Sequence, residues 1–260
     1  YVKRFNNDFD MSFKGTFTYA HNKVLEYDEP DFQKYPNISR VGHSVDQQLL
    51  YIAERLFIDD SEVQRNPKQN LGGWVSGGDI KYKNLPDVNG NYDNVIDSND
   101  RQYTGMPTTP EIVYGFGPSF RYKKFDFSFF FQGAARVSIM MNGIHPFGAE
   151  GTRNVLQFIA DDYWSETNQN IYAEYPRLSK RDNENNTKAS TYWQRNGAFL
   201  KLKNLEVGFN HKFFRVYLRG SNLLTFSPFK YWDPEMGSGS GLSYPTQRVF
   251  NVGVQFSINK

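Results

Sequence analysis

The sequence predicts an all-β protein, namely a sector of a transmembrane antiparallel β-barrel with long extracellular loops. Three observations predict this fold class. Six segments of about ten residues alternate apolar with polar side chains, which is the length and period of a tilted strand crossing a bilayer. Aromatic residues make up 17% of the chain, although its mean hydropathy is -0.67. Short and long connections alternate strictly between the six segments.

Composition excludes several other classes of protein. The 260 residues include no cysteine, so the chain has neither a disulfide framework nor a thiolate metal site. A formal net charge of +2 gives no strongly basic surface for nucleic acid. No run approaches the ~20 apolar residues of a spanning helix, which excludes helical membrane proteins. The chain starts at Tyr1 in strand-like sequence without a signal peptide, which indicates a piece of something longer.

The first predicted strand covers residues 9–20. Its odd positions from Phe9 to Tyr19 are apolar or glycine, and its even positions are polar. Residues 1–5 are interpreted as the tail of an earlier strand, followed by a turn at residues 6–8. The connection at residues 21–110 is too long for a simple loop, so we predict a folded excursion with short ordered segments at residues 49–58 and 79–83.

The clearest element is a hairpin with arms at residues 111–122 and 125–134 and a tight turn at Lys123 and Lys124. One face of both arms is apolar and carries Ile112, Tyr114, Phe116, Phe120, Tyr122, Phe125, Phe127, Phe129 and Phe131. So aromatic a face is typical of contact with lipid rather than of a sandwich core.

The second long connection, at residues 135–197, is predicted to contain one helix that ends near Trp164, with Thr152 or Asn154 as its cap. Four residues are spaced for one face of that helix: Val155, Phe158, Ile159 and Tyr163. The following segment, up to Lys188, is rich in Asn, Glu and Lys and is predicted to be an exposed loop.

Three further strands are predicted at residues 198–210, 213–223 and 248–258. In the first of these, the apolar positions change parity at Asn204, from Leu200 and Leu202 to Leu205 and Val207. A one-residue slip turns every later side chain to the other face unless a bulge absorbs it, so we predict a bulge at Asn204. The third long connection, at residues 224–247, contains a Gly-Ser-Gly-Ser-Gly run at residues 237–241 that is interpreted as flexible.

The alternation of short turns with long loops predicts how the chain is oriented in the membrane. In outer-membrane barrels the short turns face the periplasm and the long loops lie outside, so the turns and the C-terminus are predicted to be periplasmic. Six strands are too few to close a barrel, and an open sheet would leave two unpaired edges in lipid. The chain is therefore predicted to be part of a larger barrel.

The order of several segments resembles the C-terminal end of the SusC/RagA-type TonB-dependent transporters of Bacteroidetes outer membranes. The segments are FKGTFTYAHNKVLEYDE, GDIKYK with DVNG, VIDSNDRQYTGMPTTPEIVYGFGPSFRYKKFDFSFFFQG, AEYPRLS, YWQRNGAFLKLKNLEVGF, LRGSNLLTFS, YWDPE and YPTQRVFNVGVQFS. The resemblance implies a barrel of twenty-two strands around an N-terminal plug, of which this chain supplies the last six. It also implies a SusD-like surface lipoprotein as partner, TonB acting through the N-terminal part, and uptake of glycan or peptide fragments.

One candidate metal site lies between Asp87 and Asp100, where carboxylates and amides at alternate positions suit a hard cation. The ligands of this EF-hand-like calcium loop would be Asp87, Asn89, Asp93, Val95, Asp97 and Asp100. Asn94 stands where such loops have glycine, and two extra residues follow the first ligands. An Asx-rich turn without metal is the alternative. The sequence thus requires no cofactor and predicts at most a structural calcium or magnesium ion.

Four aromatic residues in or beside the loops are candidate substrate contacts, because aromatic faces stack on sugar rings: Trp164, Trp193, Tyr231 and Trp232. Packing inside the loops or in an interfacial girdle is the alternative. No pairing of side chains supports catalysis, so the chain is not predicted to be an enzyme. The leading functional hypothesis is TonB-dependent nutrient uptake across an outer membrane. The alternatives are a soluble β-rich domain that binds or cleaves glycans, and a structural barrel or adhesion protein.

Overall fold

The computed structural model describes residues 1–144, 154–180 and 183–257. Its strands are β1 (Val2–Arg4), β2 (Phe9–Tyr19), β3 (Gln48–Tyr51), β4 (Ala53–Leu56), β5 (Lys68–Gln69), β6 (Ile80–Tyr82), β7 (Val95–Ile96), β8 (Arg101–Thr104), β9 (Ile112–Tyr122), β10 (Phe125–Ala135), β11 (Ser138–Met140), β12 (Gln194–Asn196), β13 (Phe199–Asn210), β14 (Phe214–Phe226) and β15 (Val249–Phe256). The α-helices are α1 (Asp60–Arg65), α2 (Gln157–Asp161) and α3 (Glu184–Thr187), and 3-10 helices lie at Pro36–Ile38, Ser98–Asp100 and Pro234–Met236. None of these helices has the length and apolar character needed to cross a membrane.

Seven strands form one antiparallel sheet, called the wall below, in the order β1-β2-β9-β10-β13-β14-β15. The all-β fold is therefore confirmed. The six predicted strands correspond to β2 and the five that follow it in the wall, and the tail at residues 1–5 forms β1. β14 extends three residues beyond the predicted end, because Thr225 and Phe226 pair with Lys201 and Leu200. The predicted end of the last strand, Ile258, lies outside the described residues.

The apolar positions of neighbouring wall strands lie on one face, called the outer face. Phe127 of β10 lies opposite Phe120 of β9 and Val207 of β13. Leu218 of β14 lies opposite Val207 and Val252 of β15. This face is open to its surroundings, since Leu218 is 59% and Val252 74% exposed.

The opposite, inner face of the wall is polar and ion-paired. Arg215 of β14 lies 2.5 Å from Asp126 of β10 and 2.6 Å from Glu206 of β13. Asp10 of β2 forms an ion pair with Arg121 of β9. The two faces thus differ as the lipid face and the lumen face of a membrane barrel differ.

The bulge predicted at Asn204 is confirmed. Asn204 pairs with Phe130 of β10, while the next pair along is Leu202 with Phe131, so Lys203 is the extra residue. The register with β14 shifts at the same place. Because of this extra residue, Leu202 and Leu205 lie on the same outer face although one has an even and the other an odd residue number.

The three long connections fold together and are called the loop domain below; they cover residues 20–111, 136–198 and 227–248. The hydrophobic core of the described residues lies mainly here rather than in the wall. All three connections contribute to it, with Leu50, Ile80, Ile139, Ile159 and Phe229 among its buried members. The prediction that residues 21–110 form a folded excursion rather than a simple loop therefore agrees with the structure.

The prediction of an exposed loop up to Lys188 is wrong. Part of this segment forms α3, and Asn185 and Asn186 are buried. Burial of these amides is compatible with folding because their polar atoms are bonded. The Asn185 side-chain N–H donates to the carbonyl of Ile80 at 2.9 Å, and Asn186 Oδ1 accepts the amide of Ile80 at 2.9 Å.

Three further details of the loops differ from the sequence-based expectation. Leu156 caps α2 without a side-chain hydrogen bond, so Asn154 is not the cap, and Thr152 lies outside the described residues. The helix ends at Asp161 because Tyr163 instead forms a β-bridge with Tyr175. The Gly-Ser run is also tied down, since Ser238 Oγ accepts the amide of Met140 at 3.0 Å and Gly239 bridges to Met141.

Candidate functional site in the loop domain

Trp164 and Trp193, two of the predicted substrate contacts, are core residues that are each 6% exposed. The Trp164 ring packs against Gly78, where a Cβ would lie 2.2 Å from the ring. The indole N–H of Trp193 donates to the carbonyl of Asn186 at 2.7 Å, and its ring contacts that of Tyr175. Both rings are thus packed inside the loops, although Trp193 also lines the smaller cavity described below.

Tyr231 and Trp232 are partly exposed and line an open cleft of about 420 Å³ between α2 and the third long connection. The rings are held by other aromatic residues. Phe158 of α2 lies edge-on to Tyr231 with centroids 4.8 Å apart, and Phe229 lies edge-on to Trp232 at 4.6 Å. The structure therefore brings together two of the four predicted residues and leaves the other two in the core.

The position of Trp232 follows from the Trp-Asp-Pro-Glu sequence around it. Asp233 caps the 3-10 helix Pro234–Met236 by accepting the amide of Glu235 at 3.1 Å. The carboxylates of Asp233 and Glu235 also bind the ammonium group of Lys201 on β13, each at 2.5 Å. Burial alone would raise the pKa of Asp233, but the hydrogen bond from Lys201 lowers it below its ordinary value. The bulged region of β13 thus anchors the segment that carries the cleft aromatics.

Tyr231 also has a polar environment on its other side. Its hydroxyl donates to the Glu174 carboxylate, and the Arg195 guanidinium lies 5.7 Å from its ring centroid. Arg195 and Glu174 form an ion pair at 3.1 Å. Burial and the hydrogen bond to Glu174 raise the pKa of Tyr231, so it stays neutral at physiological pH.

The chemistry of the cleft is that of a recognition site. Phe158, Tyr231 and Trp232 offer aromatic surface, and Lys230 and Gln157 add polar groups at its edge. Aromatic faces beside hydrogen-bonding groups suit a sugar ring or an apolar side chain of a peptide.

A second cavity of about 210 Å³ lies beside the core. Its apolar side is formed by Met140, Met141, Ile144 and Trp193, and its polar side by Gln48, Asn142, Asn186 and Lys188. A small group with one apolar and one polar end matches such a lining.

The predicted calcium loop has its carboxylates occupied by backbone amides. Asp87 Oδ1 accepts the amides of Asn89 and Asn91, each at 2.9 Å. Asp93 Oδ1 accepts the amide of Val95 at 3.0 Å. These are Asx turns, which the sequence also allowed.

The second half of the loop is likewise closed on itself. Asp97 caps the 3-10 helix Ser98–Asp100, and Asp100 accepts the amides of Asp97 at 2.8 Å and Leu85 at 2.6 Å. Burial raises the pKa of Asp100 above its ordinary value. Asn94 has a φ of 60°, the conformation that a glycine would supply. Among the described residues no three acidic, His or Cys side chains converge on a metal position, so as arranged the ligands do not fit calcium. Metal binding stays a prediction.

Two buried carboxylates rigidify the loop domain. Asp79 is fully buried and accepts from Asn183, Asn186 and Arg177 at 2.9, 2.8 and 3.1 Å. It thereby joins the first long connection to the second.

Glu62 of α1 is the second buried carboxylate. Burial alone would raise its pKa, but hydrogen bonds from Arg55, the Ile58 amide and Lys81 lower it to about 2. The Ile58 amide and Lys81 Nζ lie 2.9 and 3.1 Å from its oxygens. The buried Glu62 carboxylate can therefore stay ionised only while Arg55, the Ile58 amide and Lys81 all bind it.

The sequence-based selection missed the most exposed tryptophan. Trp74 is 76% exposed, in an irregular segment directly after Gly72 and Gly73, both of which have positive φ. The sequence does contain a signal for this residue. Glycines stand on both sides of the Trp74 segment, and the segment shows neither the alternation of a strand nor the spacing of a helix face, which predicts an exposed loop. Exposed tryptophans of this kind are common contact residues at interfaces.

Comparisons with known proteins agree with this architecture. No family model matches the chain. The chain is 27% identical over 278 residues to TonB-dependent receptor P3 of Formosa agariphila and 28% identical over 269 residues to TonB-dependent receptor P26 of the same organism. These alignments cover 96% and 90% of the chain but only 27% and 26% of the relatives. The chain thus spans about a quarter of the length of the curated relatives.

Solved structures show the same fold. The RagAB peptide importer in its open-open and closed-closed states superposes with a TM-score of 0.65 each, at 18% and 19% identity. The superpositions cover 99% and 98% of this chain and 27% and 28% of those chains. The relatives are named as receptors and importers, none of them an enzyme, in agreement with the prediction. The resemblance to TonB-dependent transporters of the SusC/RagA type is therefore confirmed over nearly the whole chain, whose fold is a sector of their β-barrel.

Proposed function

We propose that the chain is the C-terminal part of the barrel of an outer-membrane TonB-dependent transporter, with twenty-two strands around an N-terminal plug. The observation that carries the proposal is the outer face of the wall, which is apolar across the sheet and open at its centre. In water such a face would have to be covered, whereas in a bilayer lipid covers it. The polar inner face then lines the lumen and meets the plug.

The proposed orientation places the loop domain outside the cell and the tight turns and the C-terminus in the periplasm. The sorting of the connections supports it, because every long connection folds into the loop domain while the wall turns contain only a few residues. In barrels of this class the long connections are extracellular.

The proposed cargo is a glycan or peptide fragment that meets the loop domain before it enters the lumen. The cleft beside Tyr231 and Trp232 supports this role, since it combines aromatic surface with polar groups. A related fold is named as a peptide importer, which makes peptides the first class to test.

The proposed partners are a SusD-like surface lipoprotein on the loop domain and TonB through the N-terminal part of the protein. Trp74 is a candidate contact for the lipoprotein, because it is exposed in an irregular segment of the loop domain. Co-purification from detergent-solubilised outer membranes tests the lipoprotein, with Trp74→Ala expected to weaken its recovery. A full-length protein that is always recovered without a lipoprotein would contradict this part of the proposal.

Two experiments on the full-length protein test the proposal itself. The protein should stay in the outer membrane after alkaline carbonate extraction and migrate on gels in a heat-modifiable form. A protein that is released folded and monodisperse without detergent would favour the soluble alternative. Deletion of its gene should abolish uptake of one class of peptide or glycan fragments from the medium, and the same loss should follow collapse of the proton-motive force. Unchanged uptake of both classes would refute the transport role.

A further inference from the structure

An aromatic belt follows the end of the wall at which the tight turns lie. Each wall strand contributes one ring at or next to that end, namely Phe5, Phe9, Tyr122, Phe125, Phe209, Phe214 and Phe256. The rings contact one another along the belt, with centroids 5.0 Å apart for Phe5 and Phe9 and 5.3 Å apart for Phe125 and Phe209. Aromatic belts mark the level of the lipid headgroups.

Three lysines lie in or near the tight turns at this end: Lys3 in β1, Lys123 between β9 and β10, and Lys212 between β13 and β14. The ammonium groups of Lys3, Lys123 and Lys212 lie 4.8, 5.5 and 5.3 Å from the ring centroids of Phe5, Tyr122 and Phe213. Lys3 shares the outer face, because it lies opposite Met11 in the ladder. Lys3 and Lys123 thus lie beside rings of the outer face, while Lys212 lies over Phe213 in its own turn.

These lysines lack an acidic partner in the part of the chain that the structure describes. The ion pairs of the wall at this end, Asp10 with Arg121 and Asp126 with Arg215, lie on the inner face. Asp8 is the one acidic residue within the three turns, and no ion pair joins it to the lysines. Within the described residues these three ammonium groups are thus left open to an anion from the surroundings.

We propose that Lys3, Lys123 and Lys212 form a binding rim for anionic phospholipid headgroups, such as phosphatidylglycerol, in the leaflet at the turn end of the barrel. The proposal rests on the proposed function, because it requires the outer face to lie in a bilayer. Neighbouring turns are separated by two strands, or ~10 Å, so each lysine meets a separate headgroup instead of converging on one polyphosphate. A zwitterionic lipid carries its own ammonium group, which competes with lysine for the phosphate. The rim therefore discriminates by net lipid charge.

Native mass spectrometry of the full-length protein in neutral detergent with equimolar phosphatidylglycerol and phosphatidylcholine tests the rim. Attraction of one lysine to an anionic surface corresponds to roughly fivefold in affinity, so phosphatidylglycerol should be retained several-fold over phosphatidylcholine. The variant Lys3→Gln/Lys123→Asn/Lys212→Gln should lower this ratio to about one. Asparagine is used at position 123 because Lys123 has a φ of 52°, which asparagine tolerates.

The matched control removes three exposed lysines of the loop domain, Lys23→Gln/Lys34→Gln/Lys68→Gln. Lys34 also lies over an aromatic ring, 5.2 Å from the centroid of Tyr35. The control therefore also removes three positive charges and one cation–ring contact, but at a different place in the protein. Its lipid ratio should equal that of the unmodified protein. An equal loss in both triple variants would show a general charge effect and overturn the proposal.

Two measurements keep the test decisive. Raising ionic strength should reduce the preference of the unmodified protein, because salt screens the exposed ammonium groups, and this needs no variant to fold. Equal retention of both lipids by an unmodified protein that is heat-modifiable in bilayers would overturn the rim and leave the transporter proposal intact. Failure of the unmodified protein to insert into any bilayer would instead refute the proposed function.

Discussion

Replacing Leu218 with arginine tests whether the outer face of the wall lies in hydrocarbon. Leu218 lies four residues from Phe214, which starts β14 at the turn end. Four residues at ~3.4 Å each along a strand tilted by ~40° correspond to a depth of ~10 Å below Phe214. Since the apolar band of such barrels is ~25 Å tall, Leu218 lies near its middle.

The expected cost follows from this depth. Arginine on the lipid face costs ~2 to 4 kcal/mol at the midplane and ~0 to 1 kcal/mol near the interface. Alanine at the same positions measures the loss of the side chain without the charge. The difference between the arginine and alanine variants should therefore be ~2 to 3 kcal/mol larger at Leu218 than at Phe214.

The assay is guanidinium unfolding of the full-length protein in lipid vesicles, followed by heat-modifiable migration on gels. It yields the free energy of unfolding of each variant when the transition is reversible. Arginine–alanine differences that agree within ~0.5 kcal/mol at the two positions would show that the outer face is not in hydrocarbon. That result would refute the assignment of the faces on which the wall rests.

Three other predictions concern the bulge, a buried carboxylate and the acidic loop. Lys203 is the extra residue of the bulge, so its deletion leaves Leu202 and Leu205 on the same face and should change the amount of protein in the outer membrane little. Deletion of Glu206, which has a partner on both neighbouring strands, turns the apolar residues on one side of it to the inner face and should lower that amount severalfold; equal amounts of the two deletion variants would contradict the role of the bulge. Because the pKa of Glu62 is lowered from 4.5 to about 2, its carboxylate stabilises the loop domain above pH ~4.5, and this stability is lost as the pH falls toward 2. The midpoint of tryptophan-monitored thermal unfolding should therefore drop between pH 6 and 3, and drop less in Glu62→Gln; an identical pH dependence would count against the ion-paired shell. Calorimetric titration with calcium should give no saturable heat below the millimolar range while the carboxylates of residues 87–100 keep their amide partners, and a micromolar Kd would show that the loop rearranges around the ion.

The wall was predictable because its environment imposes a strict rule on the sequence. A strand with one apolar face must alternate with a period of two, so residues such as Phe125 to Phe131 reveal both the strand and its orientation. The change of parity at Asn204 carried enough information to place the bulge next to Lys203. What the alternation could not give is the number of strands in the closed barrel.

The loop domain was less predictable because contacts between distant segments decide which side chains are buried. Trp193 and Trp232 have similar local sequence contexts, yet one lies in the core and the other lines a cleft. The polar Asn185 is buried because Ile80 supplies a backbone carbonyl from another connection. Composition near a residue gives no information about such a partner.

The shared core of the loop domain also has a consequence for folding order. The amide of Ala53 donates to Thr191 Oγ1 at 2.9 Å, across 138 residues of chain. Contacts of such sequence separation form late, because the loop-closure entropy of the intervening chain must be overcome first. The core draws on all three connections, and Phe229 is contributed by the third, which follows β14. We therefore expect the loop domain to close as one unit late in folding, after the wall strands that carry its three connections have paired.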